Sequence, residues 1–493
     1  MTIEGEDTTA PELRRAGFAR NAMWLLFAEA TGKIASFVFV VIVARELGAR
    51  DYGAFAFAVA FVAPFYRLAA WGVDSTVISE VARDHRRVAE IFPAGLVLRV
   101  GFGTLALLSA LVIAPFFVDG HQAYVAFAVL GAALLLDELS QFLSALFRSF
   151  ERMEYHALVV LSNRVLSVIL ALVVLHGGGH LIAVCFTYLV GSFGAMVFGF
   201  VFLRRFLPPG TRLRPSRQVM RHMARTGAPL GIASALNMLA FRVDTVILQA
   251  VKGTVAVAQY AVAYRFFDSL AFVAYNLGDT AQPAIARTGK GGDATRTFTL
   301  ATAAMLAFYL PLAVGYLFAG RWIVVTLFSE TYRAAVPALM WLGVASAFYG
   351  LTYIARVGAI ALGRRSEITW IAVTALAANL AMNAYAIPRW GGTGAGTTTC
   401  LTEVIEAALT VTLFLRTNPL RGASRAMLVP VAAAAASAAV LAVLGLRDGA
   451  ALGGLAVVYL VTLVGAARLL VPDDAAELGR LLRNRFIRRP SSR

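Results

Sequence analysis

The sequence predicts an all-α polytopic membrane protein of about fourteen transmembrane helices, in two six-helix lobes followed by two C-terminal helices. Three observations predict this class. Of the 493 residues, 59% are hydrophobic and 15% are charged, whereas soluble domains average about 45–50% and about 25%. The mean hydropathy is +0.73. Apolar runs of span length follow one another along the chain, and a segment near the start resembles one at the centre.

Each apolar run predicts one transmembrane helix, because about 20 helical residues cross the hydrocarbon core of a bilayer. The predicted spans are 21–44, 53–73, 93–118, 123–147, 158–176, 181–203, 228–251, 257–282, 297–319, 336–360, 367–388, 393–415, 427–446 and 450–470. The connections on the outside are short. They leave little room for an extracytoplasmic catalytic domain.

The distribution of positive charge predicts the orientation. With the N-terminus inside, the inside segments carry 29 of the 44 Lys and Arg residues, and the outside segments carry 7. Cytoplasmic loops of membrane proteins are enriched in Lys and Arg, so both termini are predicted to be cytoplasmic. The same enrichment accounts for the net charge of +16 without a nucleic-acid partner.

An internal repeat predicts the two lobes. "LGARDYGAFAFA" (47–58) resembles "VKGTVAVAQYAVAY" (251–264), and "VDSTVISEVAR" (73–83) resembles "LGDTAQPAIAR" (277–287). Spans 1 and 2 therefore match spans 7 and 8. Six spans separate the two copies, and six is an even number. The repeat is therefore parallel, with a pseudo-twofold axis along the membrane normal.

The repeat and the charges predict the domain boundaries. The predicted parts are an N-lobe at 1–205, a basic cytoplasmic linker at 206–227, a C-lobe at 228–416, and the last two spans with a basic cytoplasmic tail at 417–493.

Ionisable side chains inside the predicted spans are candidates for function, because a charge in the bilayer is costly. Arg99, Arg356 and Arg468 lie near the inner ends of spans and are predicted to extend to the lipid headgroups. The deeper residues are Glu29, Lys33, Asp137, Glu138, Arg242, Asp244, Arg265, Asp268, Glu403 and Glu406.

Spacing indicates which of the deep charges can neutralise each other. Glu29 and Lys33 are four residues apart, and Arg265 and Asp268 are three apart. Each pair shares a helix face and is either a self-neutralised ion pair or part of a cavity wall. Arg242 lies two residues before Asp244, which is about 200° around a helix. Each of those two therefore needs a partner on another helix, or water.

Like charges stand close together in two acidic groups. Asp137 and Glu138 are adjacent, and they form a candidate H⁺ or Na⁺ site with Gln141. Glu403 and Glu406 stack at a spacing of three residues, so one of them can hold a proton at neutral pH. The alternative is a carboxylic acid that bonds a nearby hydroxyl group.

Three segments carry a resemblance to a known family: "RNAMWLLF…VARELGARDYGAFAFA", "FRVDTVILQAVKGTVAVAQYAVAYRF" and "IPRWGGTGAGTTTCLTEV". With these, the chain resembles the oligosaccharide flippases that serve O-antigen and other polysaccharides. They are a branch of the multidrug/oligosaccharidyl-lipid/polysaccharide exporter superfamily, which also contains drug exporters and the lipid II flippase.

The resemblance implies a transporter and no enzyme, in the cytoplasmic membrane of a bacterium or archaeon. It implies alternating access and the movement of undecaprenyl-diphosphate-linked oligosaccharide from the inner to the outer leaflet, for lipopolysaccharide or other polysaccharide biosynthesis. The implied partners are this glycan, membrane lipids and a polysaccharide polymerase. No cofactor is implied, and H⁺ or Na⁺ are candidate coupling ions.

A diphosphate is bound best by forked donors, which Arg supplies better than Lys. The deep cations are therefore predicted to bind the substrate: Arg242, Arg265, Lys33 and, as a weaker candidate, Arg164. The candidate ion-coupling residues are Glu29, Asp137, Glu138, Asp244, Asp268, Glu403 and Glu406. Candidate sugar contacts include Gln249, Asn379 and Asn383.

Three other functions compete with this one. The first is the lipid II flippase of the same superfamily, from which the motifs separate this branch least well. A drug–cation antiporter of the same superfamily predicts an acidic, aromatic cavity with few deep cations. A membrane-bound polymerase, ligase or glycosyltransferase needs an extended outside loop with acidic or His residues. The outside candidates His121, His176 and His180 lie in short turns, so the sequence favours the flippase.

Overall fold

The computed structural model describes residues 9–207, 214–288, 292–416 and 425–470, and its elements are helices throughout these ranges. The α-helices are α1 (Thr9–Ala70), α2 (Val73–Arg83), α3 (Val88–Ile113), α4 (His121–Ser149), α5 (Met153–His176), α6 (Leu181–Leu203), α7 (Arg217–Lys252), α8 (Thr254–Thr288), α9 (Gly292–Phe328), α10 (Val336–Ala361), α11 (Arg365–Leu415), α12 (Arg425–Val443) and α13 (Asp448–Leu470). The all-α prediction is confirmed.

Two of the helices are sharply kinked at a glycine. Gly48 interrupts α1 with φ 75° and ψ 175°, and Gly391 interrupts α11 with φ 55° and ψ −132°. Glycine adopts such positive φ angles without a steric penalty. Each kink lies between two predicted spans, within a segment that carries the family resemblance. Each of these helices is therefore two predicted spans joined at a glycine.

Eleven helices in the described part of the chain are long and apolar enough to cross a membrane. The apolar part of α1 has 44 residues and α11 has 51, so each is long enough for two crossings of about 20 residues. The helix α8 lies outside this set, and it carries Arg265 and Asp268 near its centre. The polytopic fold class is confirmed, whereas the count of fourteen stays a prediction.

By packing, the chain divides into two compact units, an N-terminal unit of residues 1–258 and a C-terminal unit of residues 259–493. In the N-terminal unit, α6 packs on α4 and α5, and α7 packs on α1, α2 and α3. The helix α7 is thus part of the N-terminal unit in this structure. The predicted boundaries of the lobes and the linker stay a prediction.

In the C-terminal unit, α10 packs between α9 and α11, while α12 and α13 pack on each other and on α9. Tyr309 of α9 donates a hydrogen bond to the carbonyl oxygen of Leu270 in α8 at 2.8 Å. Tyr459 of α13 donates to the carbonyl oxygen of Ala307 in α9 at 3.1 Å. Tyrosine hydroxyls thus fix α8 and α13 to α9, because a buried hydroxyl needs a partner.

The start of α2 lies unusually close to α7. Trp71 and Gly72 both have positive φ, 48° and 67°, so the chain turns sharply before α2. Trp71 Nε1 donates a hydrogen bond to the carbonyl oxygen of Ala224 at 2.7 Å. A Cβ atom added at Gly227 would lie 2.2 Å from the carbonyl oxygen of Trp71. The two backbones therefore approach more closely than any side chain at this position would allow.

Replacing Gly227 with Ala is expected to destabilise the protein by about 1–3 kcal/mol, because the added methyl group must push two backbones apart. The matched control is Gly101→Ala in α3, where an added Cβ atom meets nothing within 4 Å. There we expect no loss, or a gain of about 0.5–1 kcal/mol from a better helix former. Thermal unfolding of the purified protein in detergent measures both. Equal melting temperatures for the two variants would contradict the close approach.

Candidate functional site

A buried arginine joins three helices of the N-terminal unit, in a group we name the Arg99 triad (Asp74, Arg99 and Glu138). Arg99 of α3 is 3% exposed. Its Nη1 lies 2.8 Å from Glu138 Oε2 of α4, and its Nη2 forms a salt bridge with Asp74 Oδ1 of α2. The guanidinium carbon also lies 6.0 Å from the centre of the Phe142 ring. The prediction that Arg99 extends to the headgroups is wrong, because two carboxylates bind it in the interior.

A second polar group in the same unit is the Arg164 cluster (Asp137, Asn163, Arg164 and Tyr188). Arg164 Nη1 donates to the Tyr188 hydroxyl at 2.8 Å, and Nη2 lies 3.8 Å from Asp137 Oδ2. Asn163 Nδ2 donates to Asp137 Oδ1 at 2.5 Å. Glu29 of α1 adds a favourable electrostatic interaction with Arg164. The predicted substrate cation Arg164 is therefore held between acidic and polar side chains of α1, α4 and α6.

The adjacent carboxylates of α4 belong to two different groups. Asp137 contacts Arg164 of α5, whereas Glu138 contacts Arg99 of α3. Adjacent residues point about 100° apart on a helix, so they reach different neighbours. The structure therefore separates the two acids that the sequence grouped into one candidate site. Each carboxylate is neutralised by its own arginine, and their role in ion coupling stays a prediction.

Lys33 and Glu29 lie one helical turn apart on α1, and both are half-buried. Lys33 forms no salt bridge with any side chain in the described ranges. The intrahelical ion pair, one of the two alternatives left by the spacing, is thus not formed. Glu29 instead adds its favourable electrostatic interaction to Arg164, and the role of Lys33 in substrate binding stays a prediction.

Arg242 and Asp244 of α7 have different surroundings. Arg242 is half-buried, and Asp244 is 4% exposed. Asp244 Oδ1 accepts hydrogen bonds from the backbone N–H of Thr245 at 2.6 Å and from its hydroxyl at 3.3 Å. This difference agrees with the separation of about 200° around the helix. Because α7 packs on three other helices, Asp244 lies inside the N-terminal unit.

In the C-terminal unit, Arg265 and Asp268 of α8 form the ion pair that their spacing allows. Arg265 Nη1 lies 3.6 Å from Asp268 Oδ2, and the two side chains are 17% and 34% exposed. Both remain open enough to meet a ligand or water. Their roles as substrate-binding and ion-coupling residues stay predictions.

The structure contains an ion pair between α10 and α11 that was not predicted from the sequence. Arg356 Nη2 forms a salt bridge with Glu406 Oε1, so the prediction that Arg356 extends to the headgroups is wrong. Glu403, one turn before Glu406, is 7% exposed. Within the described residues its Oε2 atom has no hydrogen-bond partner. The prediction that one of these two acids holds a proton stays a prediction.

A ladder of polar side chains joins the two arms of α11. Asn379 Nδ2 donates to the Thr402 hydroxyl at 3.0 Å, and Asn383 Nδ2 donates to Asn379 Oδ1 at 2.8 Å. The Thr398 hydroxyl donates to Asn383 Oδ1. Asn379 and Asn383 are 7% and 0% exposed. They are therefore buried within this polar ladder, and their role as sugar contacts stays a prediction.

Solved structures of known transporters share this fold. The chain is 14% identical to the lipid II flippase MurJ in an inward closed conformation, with a TM-score of 0.73 over 91% of this chain and 100% of that one. It is 15% identical to a multidrug resistance MATE family transporter of the MOP superfamily in an inward-facing conformation. The TM-score is 0.62, over 77% of this chain and 93% of that one.

A third structure is a MOP superfamily transporter from Pyrococcus furiosus, whose binding pocket is described as reversed in polarity. It is 14% identical, with a TM-score of 0.57 over 80% of this chain and 94% of that one. At these identities the likeness shows the fold. No curated protein matches the sequence.

The sequence also matches the profile of the family described as polysaccharide biosynthesis protein. The match covers residues 18–288, which is more than half of the chain. It includes the Gly48 motif and the complete "FRVDTVILQAVKGTVAVAQYAVAYRF" segment. The resemblance that the motifs carry is therefore confirmed, and this chain belongs to the polysaccharide biosynthesis protein family, with the fold of the MurJ and MATE transporters.

Proposed function

We propose that this protein is a flippase that moves an undecaprenyl-diphosphate-linked oligosaccharide from the inner to the outer leaflet by alternating access. Membership of the polysaccharide biosynthesis family supports a glycan cargo. The structural likeness to a flippase that is named for lipid II supports a cargo that is linked to a lipid.

The observation that carries the proposal is the set of cations inside the N-terminal unit. Lys33 has no salt bridge to the described residues, Arg164 has its carboxylate 3.8 Å away, and Arg242 is half-buried. Charged groups inside a membrane protein are retained for function. Guanidinium and ammonium donors are suited to a diphosphate, because charge-assisted hydrogen bonds to phosphate oxygens are short and strong.

The orientation and the partners belong to the same proposal. Both termini are cytoplasmic, because the basic loops lie on that side, and the membrane is the cytoplasmic membrane of a bacterium or archaeon. The glycan is delivered to the outer leaflet, where a polysaccharide polymerase extends it. Movement is driven by H⁺, by Na⁺, by the membrane potential or by substrate supply.

A second candidate function is drug–cation antiport, which the likeness to the MATE transporter supports. It requires a site that attracts cations. The deep Lys and Arg residues oppose this by like-charge repulsion. We therefore rank it below the flippase.

Translocation in proteoliposomes separates the two functions. The purified protein is given an undecaprenyl-diphosphate-linked oligosaccharide, and exposure in the far leaflet is measured with an impermeant sugar-modifying reagent. Ethidium transport is measured in parallel on the same vesicles. We expect exposure of the glycan without dye movement. Dye movement without glycan exposure would replace the flippase with the antiporter.

A further inference from the structure

The N-terminal unit contains a cavity of about 1170 Å³. Its lining comes from four places in the chain: the residues after the Gly48 kink, the turn between α3 and α4, the turn between α5 and α6, and the turn between α7 and α8. The charge distribution predicts all four to be outside. The cavity thus lies at the end of the unit that is opposite to the basic loops.

The rim of the cavity is polar but has no excess of positive charge. One arginine, Arg50, and two carboxylates, Asp51 and Asp119, line the cavity, together with Gln122 and His180. These side chains offer donors and acceptors together, which match hydroxyl groups that both donate and accept. An anion would meet more negative than positive charge here. The rim therefore suits a neutral ligand that is rich in hydroxyl groups.

Three phenylalanine rings also line the cavity. Phe57 and Phe127 are each 1% exposed, whereas Phe186 of α6 is 48% exposed. The rings of Phe57 and Phe127 both lie within 6 Å of the Phe61 ring, at 5.4 and 5.8 Å between centres. Packed aromatic rings hold a rigid apolar surface. Phe186 is the most exposed of the three, and an aromatic ring of this kind can pack against the C–H face of a pyranose.

Two contacts fix the walls of the cavity. Gln249 Nε2 donates to the carbonyl oxygen of Phe117 at 3.0 Å and to the Thr254 hydroxyl at 3.2 Å. An added Cβ at Gly53 would lie 2.1 Å from the carbonyl oxygen of Thr254. The end of α7 is thus tied to the turn after α3, and the start of α8 touches the second arm of α1. A site with fixed walls loses less entropy when a ligand binds.

We propose that this cavity binds the glycan of the substrate, as a saccharide site separate from the cations that bind the diphosphate. The choice of a glycan rests on the proposed flippase function. The cavity of about 1170 Å³ is larger than the usual small-molecule pocket of about 300–1,000 Å³, so several sugar rings can enter. Gln249, a predicted sugar contact, lines this cavity.

The test is binding of free oligosaccharide to the full-length protein in detergent. The probe is the oligosaccharide released by mild acid from the lipid-diphosphate fraction of the native cells, which carries neither lipid nor phosphate. Isothermal titration calorimetry measures its dissociation constant. The variants are Phe186→Ala and Gln122→Ala.

Each variant has a matched control. Phe193 lies on the same helix as Phe186 and is 52% exposed, but it does not line the cavity. Gln218 is an exposed glutamine at the start of α7. We expect binding to weaken about fivefold to tenfold in Phe186→Ala and in Gln122→Ala. Phe193→Ala and Gln218→Ala should bind as the unaltered protein does.

The outcomes separate the saccharide site from the flippase. Unchanged binding in both cavity variants overturns the site, as does a failure of the unaltered protein to bind the free glycan. Either result leaves the flippase standing if translocation in proteoliposomes persists. Cavity-dependent binding without translocation supports the site and overturns the flippase.

Discussion

Replacing Arg99 with Ala is expected to lower the free energy of unfolding by about 3–5 kcal/mol, the range measured when one partner of a buried ion pair is removed. The change leaves the carboxylates of Asp74 and Glu138 beside each other without a positive charge between them. Thermal unfolding of the purified protein in detergent measures the loss. A smaller, apolar side chain also leaves a gap beside the Phe142 ring.

The matched control is Arg468→Ala. Arg468 lies in the last turn of α13 and is exposed, and the sequence predicts the same headgroup position for it as for Arg99. A substitution at an exposed position should change the free energy of unfolding by less than about 0.5 kcal/mol. Adding Asp74→Asn and Glu138→Gln to an Arg99→Met variant should restore most of the loss, because no buried charge then remains unneutralised. If Arg99→Ala and Arg468→Ala melted at the same temperature, the Arg99 triad would not contribute to stability.

Replacing Arg242 with Ala is expected to reduce glycan translocation about 100-fold, while the protein stays folded. A charge-assisted hydrogen bond contributes about 1.5–3 kcal/mol, and about 1.4 kcal/mol corresponds to a factor of ten. Arg242→Lys keeps the charge but loses the forked donors, so we expect an intermediate rate. The proteoliposome exposure assay gives the rates, and the melting temperature reports on folding.

The control for this prediction is Arg217→Ala on the same helix. Arg217 is exposed at the start of α7, among the basic residues predicted to face the cytoplasm. Its replacement should leave the rate within about twofold, because screened surface charges contribute little. Full activity of Arg242→Ala would remove this residue from the diphosphate site and leave Lys33 and Arg164 as the remaining candidate cations for the diphosphate in the N-terminal unit.

The sequence predicted the helical membrane fold because the bilayer imposes it. Backbone groups in lipid must bond within their own helix, so each span shows as a continuous apolar run. The turns at Gly48 and Gly391 were also predictable, since positive φ favours glycine. The ion pair of Arg265 with Asp268 follows from a spacing of three residues. All of these are local properties of the chain.

The partners of Arg99 and Arg356 could not be read in the same way. Asp74 lies at the start of a predicted inside segment, and Glu138 lies 39 residues beyond Arg99. Glu406 lies 50 residues beyond Arg356. Such pairs depend on which helices become neighbours and on how each helix is rotated. The prediction that an arginine near a span end reaches the headgroups assumed a lipid-facing helix, whereas both arginines face other helices.

The adjacent acids of α4 bind arginines on two different neighbours, and this fixes the register of that helix. A single-residue insertion between His121 and Asp137 that shifted the rest of α4 would rotate Asp137 and Glu138 together by about 100°. Arg99 would then lose Glu138 and Arg164 would lose Asp137 in one step, and no single substitution could restore both. Length variation in related chains should therefore be absent from α4 and collect in the turn before it, between residues 117 and 120.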